Sequence, residues 1–130
     1  MTKQDYIQYW ITTAKEDSET MSFLFKGKRY VHALFFGHLH IEKICKALWV
    51  KNNKENIPPK IHNLLSLLEQ AKVKPDEKQL LFMLKLNQYQ IEGRYPDDQA
   101  RLKKITSKEL TQQYISEIKK LSSCLLKELQ

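Results

Sequence analysis

Three side chains stand where a purely structural helix would carry an aliphatic one: Asp17, His38 and Glu42. His38 and Glu42 are four residues apart, so on a helix they project from successive turns and can touch. An imidazole against a carboxylate can work as an acid–base pair, its pKa moved by the neighbour. The same two residues can instead form a hydrogen-bonded layer that fixes helix register. With no nucleophile in view, the residues alone favour that second reading. A buried carboxylate without a partner is costly, so Asp17 and Glu42 are each expected to have a partner or to open onto a cleft. Asn87 makes a similar break in a later apolar stripe.

A second group lies further along. His62 follows Pro58-Pro59, and "EGRYPDDQA" (92–100) follows an apolar run. Arg94 can hold a phosphate through its guanidinium, and Tyr95 can offer a ring. A local account also serves: Gly93 is a left-handed helix exit, Arg94 complements the negative helix end, and Pro96 prevents resumption. A single histidine at a helix start is ordinarily a surface or capping residue, so His62 gains interest only in combination with Arg94.

Helical spacing supplies the frame for these groups. It predicts a first helix from about Lys3 to Phe25, with Tyr6, Ile7, Trp10, Ala14 and Met21 on one side and Gly27 as the exit. A second helix, about Tyr30 to Lys51, has a broad apolar arc through Leu34, Gly37, Ile41, Ile44, Cys45 and Leu48, which marks it as central. Pro58-Pro59 then breaks the chain. A short helix is expected within "IHNLLSLLEQA" (61–71), opened by His62. A fourth starts near Pro75 and reaches Glu92, with Leu80, Leu84, Asn87 and Ile91 on one stripe. After "GRYPDDQARLKKI" (93–105), "TSKE" (106–109) has capping-box spacing ahead of a last helix carrying Leu110, Tyr114, Ile118, Leu121 and Leu125. The expected fold is all-α: an up-and-down bundle of four long helices plus one short helix, in a single domain over 1–130.

Composition points the same way. The 130 residues include only 3 Gly and 4 Pro, which favours helix. A formal net charge of +7 attracts phosphates at long range. The lysines are nevertheless scattered, paired at most at 103–104 and 119–120, so a solvated basic surface is the plainer reading. "VHALFFGHLHI" (31–41) is too short and too histidine-rich to span a bilayer, and no secretory signal is legible; no membrane and a cytoplasmic location are expected. Cys45 and Cys124 both fall among apolar residues and are expected to be reduced core side chains. No Cys-x-x-Cys or His-Glu-x-x-His spacing occurs, so neither a metal nor another cofactor is expected.

The order of these features resembles the HEPN family, the higher eukaryotes and prokaryotes nucleotide-binding domain. Three stretches carry the likeness: "AKEDSETMSFLFKGKRYVHALFFGHLHIEKICKALW" (14–49), "IHNLLSLL" (61–68) and "LNQYQIEGRYPDDQ" (86–99). The family's pattern falls on Asp17, Glu42-Lys43, Lys46-Ala47-Leu48, His62 with Leu64, and Arg94-Tyr95-Pro96. One departure is "FFGHLHIEK", since the family more often has small or amide residues ahead of Glu-Lys; His38 and His40 are particular to this chain.

The resemblance implies a helical bundle, commonly dimeric, in a family where some members work beside a small nucleotidyltransferase and others are metal-independent ribonucleases. The ribonuclease branch carries Arg, a short polar spacer and His near the end of the bundle. Here that motif is absent: Arg29 is too close to His32, and no histidine follows Arg94 or Arg101. The expectation is therefore a homodimeric nucleotide- or RNA-binding accessory module. In it Arg94 holds a phosphate, Tyr95 offers a stacking face, and Lys43 and His62 assist. It would act with a small nucleotidyltransferase in a toxin–antitoxin-like or defence system. The alternatives are a HEPN-type ribonuclease toxin with a degenerate or rearranged Arg/His pair, and a purely structural dimerisation partner.

Overall fold

The computed structural model describes residues 1–91 and 95–130. Six helices follow one another: α1 (Lys3–Lys26), α2 (Tyr30–Asn52), α3 (Leu64–Gln70), α4 (Glu77–Ile91), α5 (Pro96–Ile105) and α6 (Lys108–Lys127). No strand occurs among the described residues. The all-helical bundle is as expected, with one more helix than the apolar spacing predicts.

Apart from α2, which follows Arg29 with no side-chain cap, the helices start for local reasons. Thr2 caps α1 by accepting from the Asp5 amide, while Asp5 reaches back to the Thr2 amide, a reciprocal box that satisfies two otherwise orphaned donors. Asp76 and Gln79 do the same ahead of α4, so that helix begins after Pro75 rather than on it. Asn63 caps α3, which leaves His62 in the connection and not on the helix. Pro96 does not forbid a helix after Tyr95; it occupies the first turn of α5, where its missing N–H costs nothing, and Asp97 and Asp98 complement the positive end. The α6 cap is Ser107, whose hydroxyl accepts from Leu110; Thr106 closes α5 instead.

Two exits use an unexpected residue. Lys28 and Lys72 both take φ 61°, the left-handed conformation that ordinarily falls to glycine. Gly27, one residue earlier, stays at φ −81°. In each turn the next amide reaches back to the last helical turn, Arg29 to Leu24 and Val73 to Leu68.

Helix α2 is the axis of the fold. It packs along α1 and also touches α3, α4, α5 and α6. Leu34, Ile41, Ala47 and Leu48 on it are fully buried. A Cβ at Gly37 would fall 2.5 Å from Ile118 Cδ1 and 3.0 Å from Met21 Sδ, so the α2 backbone lies directly against side chains of α1 and α6. Each fully buried aliphatic side chain contributes about 1.5–3 kcal/mol, which is what lets this helix carry buried charge as well.

Helix α4 turns a different face inward from the one its sequence suggests. Phe82, Met83, Leu86 and Tyr89 are buried, whereas Leu80, Leu81 and Leu84 are exposed. Tyr89 buries its hydroxyl against Thr106 at 2.8 Å, and burial raises its pKa. Cys45 is buried, as expected, but Cys124 is exposed. Burial pushes the Cys45 thiol far up, which makes it unreactive. No helix among the described residues is long and apolar enough to cross a membrane.

Candidate functional site

The polar breaks of α2 assemble around Glu42. His38, Glu42 and Lys46 are spaced by four, so they form one stripe on three successive turns. The Glu42 carboxylate is almost completely buried, at 3% side-chain exposure. Lys46 Nζ donates to its Oε2 at 3.1 Å, and His62 Nδ1 lies 3.1 Å from Oε1. A carboxylate only accepts, so Nδ1 of His62 carries the proton and donates it. That leaves Nε2 of His62 as the free ring nitrogen, on a side chain 45% exposed. A buried acid thus holds a solvent-facing imidazole in one tautomer.

His38 completes the layer from behind. Its Nε2 lies 3.1 Å from Asn87 Oδ1, which also accepts from the Leu64 amide at 3.3 Å. The Asn87 oxygen is therefore the acceptor, His38 donates through Nε2, and its Nδ1 faces Glu42 Oε1 at 3.8 Å. Burial lowers the His38 pKa, although the Asn87 hydrogen bond and the Glu42 charge both oppose the shift. Asn87 Nδ2 in turn reaches Asn63 Oδ1 at 3.4 Å, joining the layer to the cap of α3. The chain of contacts runs Lys46, Glu42, His62 and His38, Asn87, Asn63.

Asp17 belongs elsewhere. It is buried on α1 and pairs with Lys43 of α2 at 2.7 Å. No hydrogen bond or ion pair among the described residues joins it to His38 or Glu42, so the expected polar set divides in two. Lys43, expected at the ligand site, has its ammonium held by Asp17. Lys46, not Lys43, is the lysine that reaches Glu42. Nearby, His40 Nδ1 lies 2.6 Å from the Ala14 carbonyl and its Nε2 lies 3.0 Å from Ser122 Oγ. Since a carbonyl only accepts, Nδ1 donates; burial lowers this pKa too, against the pull of Ala14 and Asp17.

Of the remaining expected residues, Tyr95 is 61% exposed and precedes α5 as its cap residue. Arg94, with Glu92 and Gly93, lies outside the described residues. Two participants escaped the sequence reading as site residues, Lys46 and Asn63. The first carried a legible signal, since its spacing from Glu42 repeats that of Glu42 from His38. No group of three His, Cys, Asp or Glu suited to a metal ion occurs among the described residues.

Residues 7–129 match the family model for the HEPN domain. No curated protein matches the chain, and no solved structure does.

Proposed function

The chain belongs to the HEPN domain family, which makes it a nucleotide- or RNA-related module at family level, and we propose that it serves as a nucleotide- or RNA-binding accessory module. The observation that carries this reading is the His62 imidazole, held by a buried carboxylate and facing solvent. An exposed histidine with no role beyond solubility has no need of a partner whose burial costs several kcal/mol. In this proposal Arg94 supplies the phosphate-holding guanidinium, His62 hydrogen-bonds the same ligand, and exposed Tyr95 offers a stacking face. The net charge of +7 supports an anionic ligand. The exposed Leu80, Leu81 and Leu84 on α4 support a homodimer. A small nucleotidyltransferase partner and a cytoplasmic, toxin–antitoxin-like setting are part of the same proposal.

Thermal shift across nucleotides and short RNAs tests it. Millimolar ligand should raise the Tm of the wild type and leave His62→Ala and Arg94→Ala unmoved. A flat response of the wild type overturns the proposal.

A second reading draws on the same histidine. With Nδ1–H committed to Glu42, Nε2 can take the proton of a ribose 2′-hydroxyl as its oxygen attacks the adjacent phosphorus. The bond from phosphorus to the 5′-oxygen breaks, and that oxygen takes up a proton, leaving a cyclic phosphate. EDTA-resistant cleavage of RNA to 2′,3′-cyclic ends, lost in His62→Ala, would establish it. Intact RNA after incubation with pure protein would leave it without support.

A further inference from the structure

Resting on the nucleotide-binding reading, we propose that the pocket between the start of α1 and the α2–α3 connection is a slot for the base of the nucleotide, distinct from the residues that hold its phosphate. The slot is a cavity of about 260 Å³, walled by Tyr6, Tyr9 and Trp10 from α1 and by Ile57 and Pro58 from the connection. Tyr9 and Trp10 meet edge to face, centroids 5.3 Å apart and planes at 77°, so they form a corner rather than a closed stack. Tyr9 and Ile57 remain 53% and 61% exposed. Large apolar side chains gathered around a concavity and left uncovered mark a place where something docks.

Its position fixes what that something is. Lys46 lies at the back of the slot, its ammonium 5.4 Å from the Trp10 ring centroid and 3.1 Å from Glu42 Oε2. The slot is therefore joined to the His62 site through Lys46, which lines the slot and donates to Glu42. Lys60 lines the rim, is exposed, and forms no ion pair among the described residues; it stands two residues before His62. Aromatic walls beside an uncommitted cation suit a ligand that is a ring at one end and an anion at the other. A nucleotide has that form, and base stacking on aromatic side chains tolerates any base.

The slot is also built to hold its shape. Lys3 Nζ on the first turn of α1 donates to the carbonyls of Val50, Asn53 and Glu55, at 2.7, 2.8 and 3.2 Å. Asn53 Nδ2 donates to the carbonyls of Trp49 and Gln70, both at 2.9 Å. Both walls are thus tied to the end of α2 before any ligand arrives, which lowers the ordering cost of binding.

Adenosine 5′-monophosphate, ribose 5-phosphate and indole are titrated into the full chain and followed by the indole N–H resonances of Trp10 and Trp49. The nucleotide should shift the Trp10 resonance, and Tyr9→Ala should weaken it about tenfold while leaving ribose 5-phosphate unchanged. Trp10→Leu, which keeps apolar bulk against the core but removes the reporting indole, should weaken the nucleotide about as much when binding is followed by calorimetry, so loss of fold is not mistaken for loss of a wall. If the nucleotide binds but leaves Trp10 unmoved and is indifferent to Tyr9→Ala, the slot is overturned and the nucleotide reading stands. If neither phosphate compound binds at millimolar concentration, both fall. Binding of indole alone would assign the slot to an apolar peptide side chain and overturn the proposal.

Discussion

Two carboxylates enter the bundle, and the protein treats them differently. Asp17 meets one lysine from the neighbouring helix, at 2.7 Å, and the pair crosslinks α1 to α2. Glu42 is more deeply buried, yet it is divided between Lys46, His62 and, at longer range, His38. One arrangement closes on itself and fixes how two helices lie. The other passes its charge outward to a ring that solvent can reach. Burial alone therefore does not mark a functional acid; what distinguishes Glu42 is a partner that remains available.

The largest test of that contrast is Lys46→Met. It leaves Glu42 with no permanent cation and should destabilise the fold by about 3–5 kcal/mol in urea unfolding at neutral pH. The loss should shrink in mild acid, where His38 can take up a proton beside the unneutralised carboxylate. Equal loss at both pH values would show that the histidines do not share the charge. Asp17→Asn should cost less, about 1–2 kcal/mol after allowing for the partial exposure of its pair, and leave ligand-induced Tm shifts intact. If it abolished them, the two carboxylates would have to be treated as one site.

The wild type should also lose stability on acidification. Burial lowers the folded-state pKa of His38 and of His40. As pH falls below about 6.5, the unfolded chain therefore binds protons first. The contribution of these neutral rings is complete above that pH and drains away as the medium approaches their folded values. A urea midpoint that held constant from pH 7.5 to 5 would contradict the buried neutral assignment. Smallest of all, His62→Ala should change stability by less than about 1 kcal/mol, because its side chain is nearly half exposed, while removing the ligand response.

How much of this could be read beforehand depended on pattern strength. Helices α1, α2 and α6 are long and have clear apolar stripes, and their bounds fall close to expectation. Helix α4 misled because "LLFMLKL" (80–86) is apolar at nearly every place, so period alone cannot choose its inner face. Phe82, Met83, Leu86 and Tyr89 won that face, and Leu80, Leu81 and Leu84 were left outside. Helix α5 has a single buried residue, Leu102, and no stripe to detect; its Pro start also looked like a stop. Within the site, the meeting of His38 with Glu42 was legible because both lie on one helix. The meeting of Glu42 with His62 was not, since it depends on where a proline-rich connection crosses α2.

Lys3 has a consequence for how the molecule comes apart. Helix beginnings ordinarily fray, but this one is moored by an ammonium to three carbonyls on another segment. Cutting that mooring, as in Lys3→Ala, should let a protease reach the first turns of α1 while the histidine and its buried acid stay in register. The aromatic wall and the imidazole would then be lost at different rates, and a ligand needing both would report the detachment of the first long before the bundle melts.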